Sequence, residues 1–407
     1  MSRKHYPPNA KLRDFEVEAL SLVEQRRAGV DAATELSKEF VSSNELTLDS
    51  ARKAIANNYG VESWERLVIG CQMVEALQAN DINTVRELVE ENPNLLHENA
   101  RGTDSNWGAP MSFAANLGHD EMIRMLAEQG ATDFQHAFSR ACLQGKIHTA
   151  QLLLSYGAKV EHGIVMGPCE TLNADGLDLL LQLGAELCDS DRNGWAPIAM
   201  LLETYSRDPD GKHRCLQLAA DKGVQFPESP IVAFHQGRLD LLQEHLRNDP
   251  DLPHRRFSLR EIYPLILGCH DHVTCGLHGT SLDGTTLLHM CVDFDEMEIA
   301  HWLIENGADV NAEAEPDADG FGRHTPLFNG VVSQANLCGR QTDASMARLL
   351  LEHGSDPSRR ASVRKQLKFW EDETMHEYLD VSPWKYGEQF HATQFVNEAV
   401  MELIAKN

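Results

Sequence analysis

No run of roughly 18 apolar residues occurs in the 407-residue chain, so the sequence offers no transmembrane helix. The opening residues, MSRKHYPPNAKLRDF, are basic but have no apolar stretch behind them, which argues against a secretory signal. Positive charge is scarce. Lys and Arg number 36 against 62 Asp and Glu, for a net charge of −26. Neutralising phosphate takes a basic surface, so binding of duplex DNA or an anionic membrane is disfavoured. Cysteine offers no framework either: the nine are scattered and odd in number. In a long chain without a signal they read as reduced, mostly buried thiols of a cytoplasmic protein. No nucleophile elbow, P-loop or dinucleotide fingerprint appears. What is present, 42% hydrophobic and 24% charged residues, is the balance of a soluble globular chain.

The informative stretch is Asp283 to Ala312, DGTTLLHMCVDFDEMEIAHWLIENGADVNA. Asp283-Gly284 is turn chemistry, and Thr286 sits where it could cap a short helix. Leu287, Leu288, Cys291 and Val292 recur at helical spacing, as do Ile299, Trp302 and Leu303 on a second helix. Gly307 falls just past that helix, where a left-handed residue belongs. Such a helix pair cannot bury its apolar faces alone and needs neighbours of its own kind.

This stretch resembles an ankyrin repeat, whose signature T-P-L-H-x-A is followed by L-L-x-x-G-A-D-V-N. Leu287 stands where Pro is usual and Cys291 where a small residue is usual. The resemblance implies a structural hydrogen bond from His289 to a neighbouring turn. It covers about Val74 to Pro357, specific at 109–158 and 283–357 and weak elsewhere. The Gly-Ala closures at Gly130, Gly157 and Gly184 lie 27 residues apart, so the loops there are trimmed. Asn80-Asp81, Gly118-His119 and Gly145 read as inter-helix turns. In the repeat from Trp195 to Gly223 the turn is enlarged by SRDPDGKH, expected as an exposed polar loop. The expected fold is therefore all-α: an ankyrin-repeat solenoid of about eight helix-turn-helix repeats with helical caps. The expected divisions are a helical cap over 1–70, repeats over 71–252, repeats with long inserted loops over 253–357, and a helical cap over 358–407. In the first cap, Asp49 and Ser50 suit a helix start, and so does Ser63-Trp64. The second cap reads as two or three helices anchored by Trp370, Trp384 and Tyr386.

Three insertions interrupt the later repeats: 253–282, 313–324 and 333–343. Insertions in adjacent repeats fall on adjacent loops, commonly on the binding face. Ile262, Tyr263, Leu265, Ile266, Leu267 and Phe321 make them too apolar for simple disorder, so they are expected to build a pocket. Arg255, Arg256 and Arg260 form one basic cluster; Arg359, Arg360, Arg364 and Lys365 form another. Either they hold an anionic ligand, with Arg255, Arg256, Tyr263, Arg359 and Arg360 as its contacts, or they pair with the protein's own acids, Glu261, Asp317 and Asp319 among them. His270, His272 or His324, with Asp319 or Glu261, would be the proton-moving groups if the pocket were catalytic. Cys269, His270, Cys275 and His278 are zinc-type ligands, and Cys275-x2-His278 has usable spacing, but the rest fits no familiar finger; no cofactor is expected, with zinc as the alternative. Asp293/Glu296 and Glu313/Glu315 read as solvated charges.

Because ankyrin arrays bind partners on a concave face, the resemblance implies a cytoplasmic protein–protein interaction scaffold, with no nucleic acid or membrane partner. The alternative is an enzyme or small-molecule binder, a hydrolase or lyase on an anionic or carbohydrate-like substrate held by the inserted loops.

Overall fold

The computed structural model describes residues 10–40, 45–188, 196–270, 279–333, 344–367 and 372–406, together with 4, 6 and 7. The chain divides into two compact units, Met1–Val160 and Glu161–Asn407.

The first unit opens with α1 (Leu12–Arg27), α2 (Asp31–Ser37) and α3 (Leu48–Asn58). They close over an aromatic core in which Tyr6, Phe15 and Tyr59 lie 5.0–6.0 Å apart between ring centroids. Thr47, rather than Asp49 or Ser50, caps α3, its hydroxyl accepting the Ser50 N–H at 3.2 Å. Ser63 starts the next helix as expected, accepting the Arg66 N–H at 3.0 Å. Three helix pairs follow: α4 (Trp64–Gln78) with α5 (Ile82–Glu91), α6 (Pro110–Leu117) with α7 (Asp120–Glu128), and α8 (Phe134–Leu143) with α9 (Ile147–Ser155).

The second unit continues the grammar with α10 (Met166–Thr171) and α11 (Ala174–Gln182), α12 (Ala196–Glu203) and α13 (Pro209–Asp221), then α14 (Pro230–His235) and α15 (Leu239–Asn248). After the short α16 (Leu259–Ile262) come α17 (Leu287–Phe294) and α18 (Met297–Glu305), then α19 (Pro326–Val331) and α20 (Ser345–Glu352). Gly130, Gly157, Gly184, Gly223, Gly307 and Gly354, which end the second helices, all have φ between +89° and +102°. A Cβ at any of them would meet nothing within 4 Å, so the positive φ, not crowding, makes glycine suitable there.

The tail departs from the expected helices. Its first half is a β-hairpin, β3 (Ala361–Gln366) against β4 (Met375–Val381), and only then come α21 (Pro383–Gln389) and α22 (Glu398–Ile404). Ala361, Val363 and Lys365 face inward on β3 in strict alternation, the period of a strand. Tyr386 is buried and Trp384 is 38% exposed, while Trp370 lies outside the described residues.

A second correction concerns charge. Arg207 and Lys212, in the enlarged turn expected to be exposed, are buried, as are Asp293 and Glu296. Arg207 is fixed on four oxygens: Asp293 Oδ2 at 2.8 Å, the Asp293 carbonyl at 3.0 Å, and the Thr204 and Ser206 carbonyls at 2.7 and 3.1 Å. Its guanidinium also lies 4.4 Å from the Phe294 ring centroid, and Lys212 Nζ lies 4.2 Å from the same ring. Lys212 and His213 share Glu296, at 3.3 and 2.9 Å. Burial pushes Lys212 below its ordinary range, with Glu296 opposing, and burial pushes His235 far down beside it. A polar segment between two helices reads as solvated in sequence. It is buried here because each cation finds a carboxylate 80-odd residues away, Asp293 on α17 or Glu296 just before α18.

Candidate functional site

The insertions at 253–282 and 313–324 meet on one side of the repeat 283–307. Arg256–Phe257 (β1) pairs antiparallel with Thr285–Thr286 (β2), which ties the first insertion to the start of α17. Ser258 and Glu261 form a reciprocal cap on α16, and Asp283 Oδ1 accepts the Leu259 N–H at 2.9 Å. The second insertion is an ordered finger. Asp317 Oδ1 accepts the Asp319 and Phe321 N–H groups at 3.0 and 2.9 Å, a side chain shaping the turn it belongs to. Glu315 N–H donates to the Gly284 carbonyl and Gly322 N–H to the Ser362 carbonyl of β3. Gly322 has φ +136°, and a Cβ there would stand 2.5 Å from the Glu315 carbonyl oxygen, so only glycine fits this approach.

Between these loops and the β3–β4 hairpin lies a cleft of about 450 Å³. Ser258, Leu259 and Ser281 come from the first insertion, Glu315, Pro316 and Phe321 from the finger, and Val363, Arg364 and Met375 from the hairpin. His324 lines the cleft and is 2% exposed. Its Nε2 faces the Ser281 carbonyl at 2.9 Å, which makes Nε2–H the donor and Nδ1 a lone pair; among the described residues no donor reaches that Nδ1. Burial pushes its pKa down to about 4, so the ring is neutral near pH 7. His289 is the repeat's own histidine. Its Nδ1 faces Thr286 Oγ1 at 2.9 Å and its Nε2 donates to the His324 carbonyl at 3.1 Å, the neighbouring-turn bond that the resemblance implies.

Residues 283–315 match a family model described as "Ankyrin repeat". The chain carries an ankyrin repeat at these residues. A crystal structure of the human ASB11 ankyrin repeat domain is similar at 17% identity, covering 73% of this chain and 97% of that one, with a TM-score of 0.25. At that TM-score it adds nothing to the repeat itself.

Around this repeat the expected site residues scatter. Tyr263 is 1% exposed and belongs to the core. Arg255 pairs with Glu261 at 2.9 Å, and Arg256 donates to the Glu313 carbonyl at 2.8 Å. Arg359 lies against Glu313 and Asp356, Arg360 against Asp380, and Arg364 bridges Asp317 and Asp319 at 2.7 and 3.0 Å. Of the two readings of the basic clusters, pairing with the protein's own acids describes this geometry. Among the described proton-moving candidates, Glu261 is committed to its cap and Asp319 to Arg364, and only His324 lines the cleft. His270 is exposed and turned elsewhere, its backbone N–H and Nδ1 both on Glu203, at 2.6 and 2.8 Å. Cys269 is buried, and burial pushes its thiol up. His272, Cys275, His278 and the insertion at 334–343 lie outside the described residues. Among the described residues no three His, Cys, Asp or Glu side chains could hold a metal, and no helix is long and apolar enough to cross a membrane.

The sequence reading missed the hairpin wall of the cleft. The signal was there in the alternation of Ala361, Val363 and Lys365, but the arginines around it drew the eye as a charge cluster.

Proposed function

We propose that this protein is a cytoplasmic protein–protein interaction scaffold whose partner docks on the finger side of the repeat at 283–315. One observation carries this reading. The finger that an ankyrin repeat projects is here lengthened yet rigid, bonded to Gly284 on one flank and to Ser362 on the other. A loop pre-ordered by backbone hydrogen bonds loses little entropy on docking, which favours affinity. The paired arginines count against an anionic ligand held by them.

The test is capture followed by reconstitution. Immobilised protein would be compared with a variant in which residues 316–321 are replaced by Gly and Ser. A protein retained by the native chain, lost with the variant, and bound saturably when both components are pure supports the scaffold reading. Equal retention by both, or none above an unrelated array, overturns it.

A further inference from the structure

We propose that three arginines at the stem of the finger, Arg256, Arg323 and Arg359, receive an acidic segment, a run of Asp or Glu, of the protein partner. The proposal rests on the scaffold reading and names the chemistry of one contact.

Pairing with internal acids does not account for every arginine here. Arg255, Arg360 and Arg364 each have a carboxylate oxygen within 2.9 Å. Arg256, Arg323 and Arg359 instead come from three separate segments and converge on one residue, Glu313. Arg256 Nε donates to its carbonyl at 2.8 Å, while Arg323 Nη1 lies 3.6 Å from Oε2 and Arg359 Nη1 lies 3.5 Å from Oε1. Asp356 Oδ2 stands 3.7 Å from Arg359 Nε. The neighbouring Glu315 lines the cleft, which none of the three arginines does. Three guanidiniums therefore share two carboxylates, both at long range, and their one short hydrogen bond goes to a neutral carbonyl. Each guanidinium carries five N–H donors. Most of theirs are unspent among the described residues, and the charge left over is positive.

The three stems are fixed while the heads are not. Arg256 lies on β1, paired with Thr286. The turn that bears Arg359 is held by Asn311, whose side chain donates to the Gly354 carbonyl at 2.9 Å and accepts the Asp356 N–H at 2.7 Å. Arg323 has φ +58°, which a long side chain seldom adopts. Two backbone bonds impose it: Arg323 N–H to the Ala314 carbonyl at 3.1 Å, and Ala314 N–H to the His324 carbonyl at 3.0 Å. Donors on placed stems suit forked hydrogen bonds to carboxylates. The patch is open, with the Arg323 and Arg359 side chains 62% and 49% exposed. Such a surface holds a single small anion poorly, whereas a segment with several carboxylates gains from several contacts at once. On a chain of net charge −26 an acidic segment is repelled elsewhere, so a positive island fixes where and how it docks.

The experiment uses the full chain and fluorescent, end-blocked peptides with Glu, Gln, Lys or phosphoserine at every second position of a glycine frame, read by anisotropy at low ionic strength. The Glu peptide should bind saturably and weaken with added salt, while the Gln and Lys peptides should not bind. Arg323→Asn suits the positive φ and Arg359→Gln removes only long ion pairs, so both should fold. Each should weaken the Glu peptide by about threefold, and the two together by about tenfold. Glu313→Gln removes the internal competitor and keeps the carbonyl that holds Arg256, so it should tighten the Glu peptide by about threefold. Glu244→Gln, an exposed residue of α15, makes the same change in net charge and should leave affinity unchanged. Equal binding of the Gln peptide, no binding of the Glu peptide, indifference to the double replacement, or weaker binding with Glu313→Gln overturns the proposal. So does acetate competing as well as the peptide does at equal carboxylate concentration, or a phosphoserine peptide that binds where the Glu peptide does not. If the Glu peptide fails while capture through the finger succeeds, the arginine assignment falls and the scaffold reading stands.

Discussion

Asp293→Asn isolates the energetics of the buried charges. Asn keeps the shape and one oxygen but removes the charge that faces Arg207, whose side chain and that of Asp293 are both 0% exposed. Removing one partner of a buried pair leaves an uncompensated ion and costs about 3–5 kcal/mol. The Thr204, Ser206 and Asp293 carbonyls still accept from the guanidinium, which holds the expectation near the lower end, about 3 kcal/mol. For a unit of roughly 250 residues this corresponds to about 6–12 °C in Tm. Glu261→Gln offers the contrast. Arg255 and Glu261 are 44% and 43% exposed, and such a pair contributes about 0–1 kcal/mol. The decisive variant is the double replacement Arg207→Met with Asp293→Leu, which removes both charges and keeps apolar volume. It should recover most of the lost stability. Urea and thermal unfolding of the three proteins is the assay. An Asp293→Asn protein within about 1 kcal/mol of the native one, or a double variant no better than the single, would refute the reasoning.

Further outcomes follow from the same contacts. Gly322→Ala should loosen the finger at a cost of about 1–3 kcal/mol, since its Cβ meets backbone, and faster amide exchange at Gly322 and Phe321 would show it. Acid should weaken the second unit: burial holds His289 and His324 at about 3 and 4, below the ordinary 6.5. The unfolded chain therefore takes up protons that the folded one refuses. Stability is full above about pH 6.5 and falls toward pH 4 by about 1.4 kcal/mol per pH unit per histidine. Urea midpoints at pH 7 and 5 check this, and His324→Gln should flatten the slope. Among the described cysteines, Cys188 alone is exposed, and burial pushes Cys142 and Cys215 up to about 12. Mass-mapped alkylation of the folded protein should mark Cys188 first. Ser63→Ala should cost about 1 kcal/mol through the lost cap of α4, seen as a lower urea midpoint for the first unit.

The repeats were legible because their rules are local. Gly307-Ala308 after an apolar helix, or Asn80-Asp81 between two, encodes a backbone conformation that neighbours need not supply. The cleft was half legible. Two insertions flanking one repeat announced that loops would meet, and they do. Their electrostatic sense was not legible, because Arg364 beside Asp317 and Asp319 is a fact of packing between segments 45 residues apart. The same limit hid Arg207 and Asp293. A polar run such as SRDPDGKH looks solvated until its distant partner is known. The β3–β4 hairpin was missed for another reason. Its alternation is short, and six residues of strand are easily lost beside strong helical neighbours.

The link from Arg207 to Asp293 bears on how the molecule comes apart. In a stack where each repeat touches only the next, unfolding proceeds as unzipping from an end, with stability a sum over nearest neighbours. Here α13 begins just after Arg207 and α17 ends just after Asp293, and the whole pair α14–α15 lies between them in the chain. Lys212 and Glu296 span the same interval. Opening the middle pair therefore strains ions that belong to the repeats on either side of it. Three repeats are bound into one cooperative block, and partial unfolding from the C-terminal end should halt at its edge.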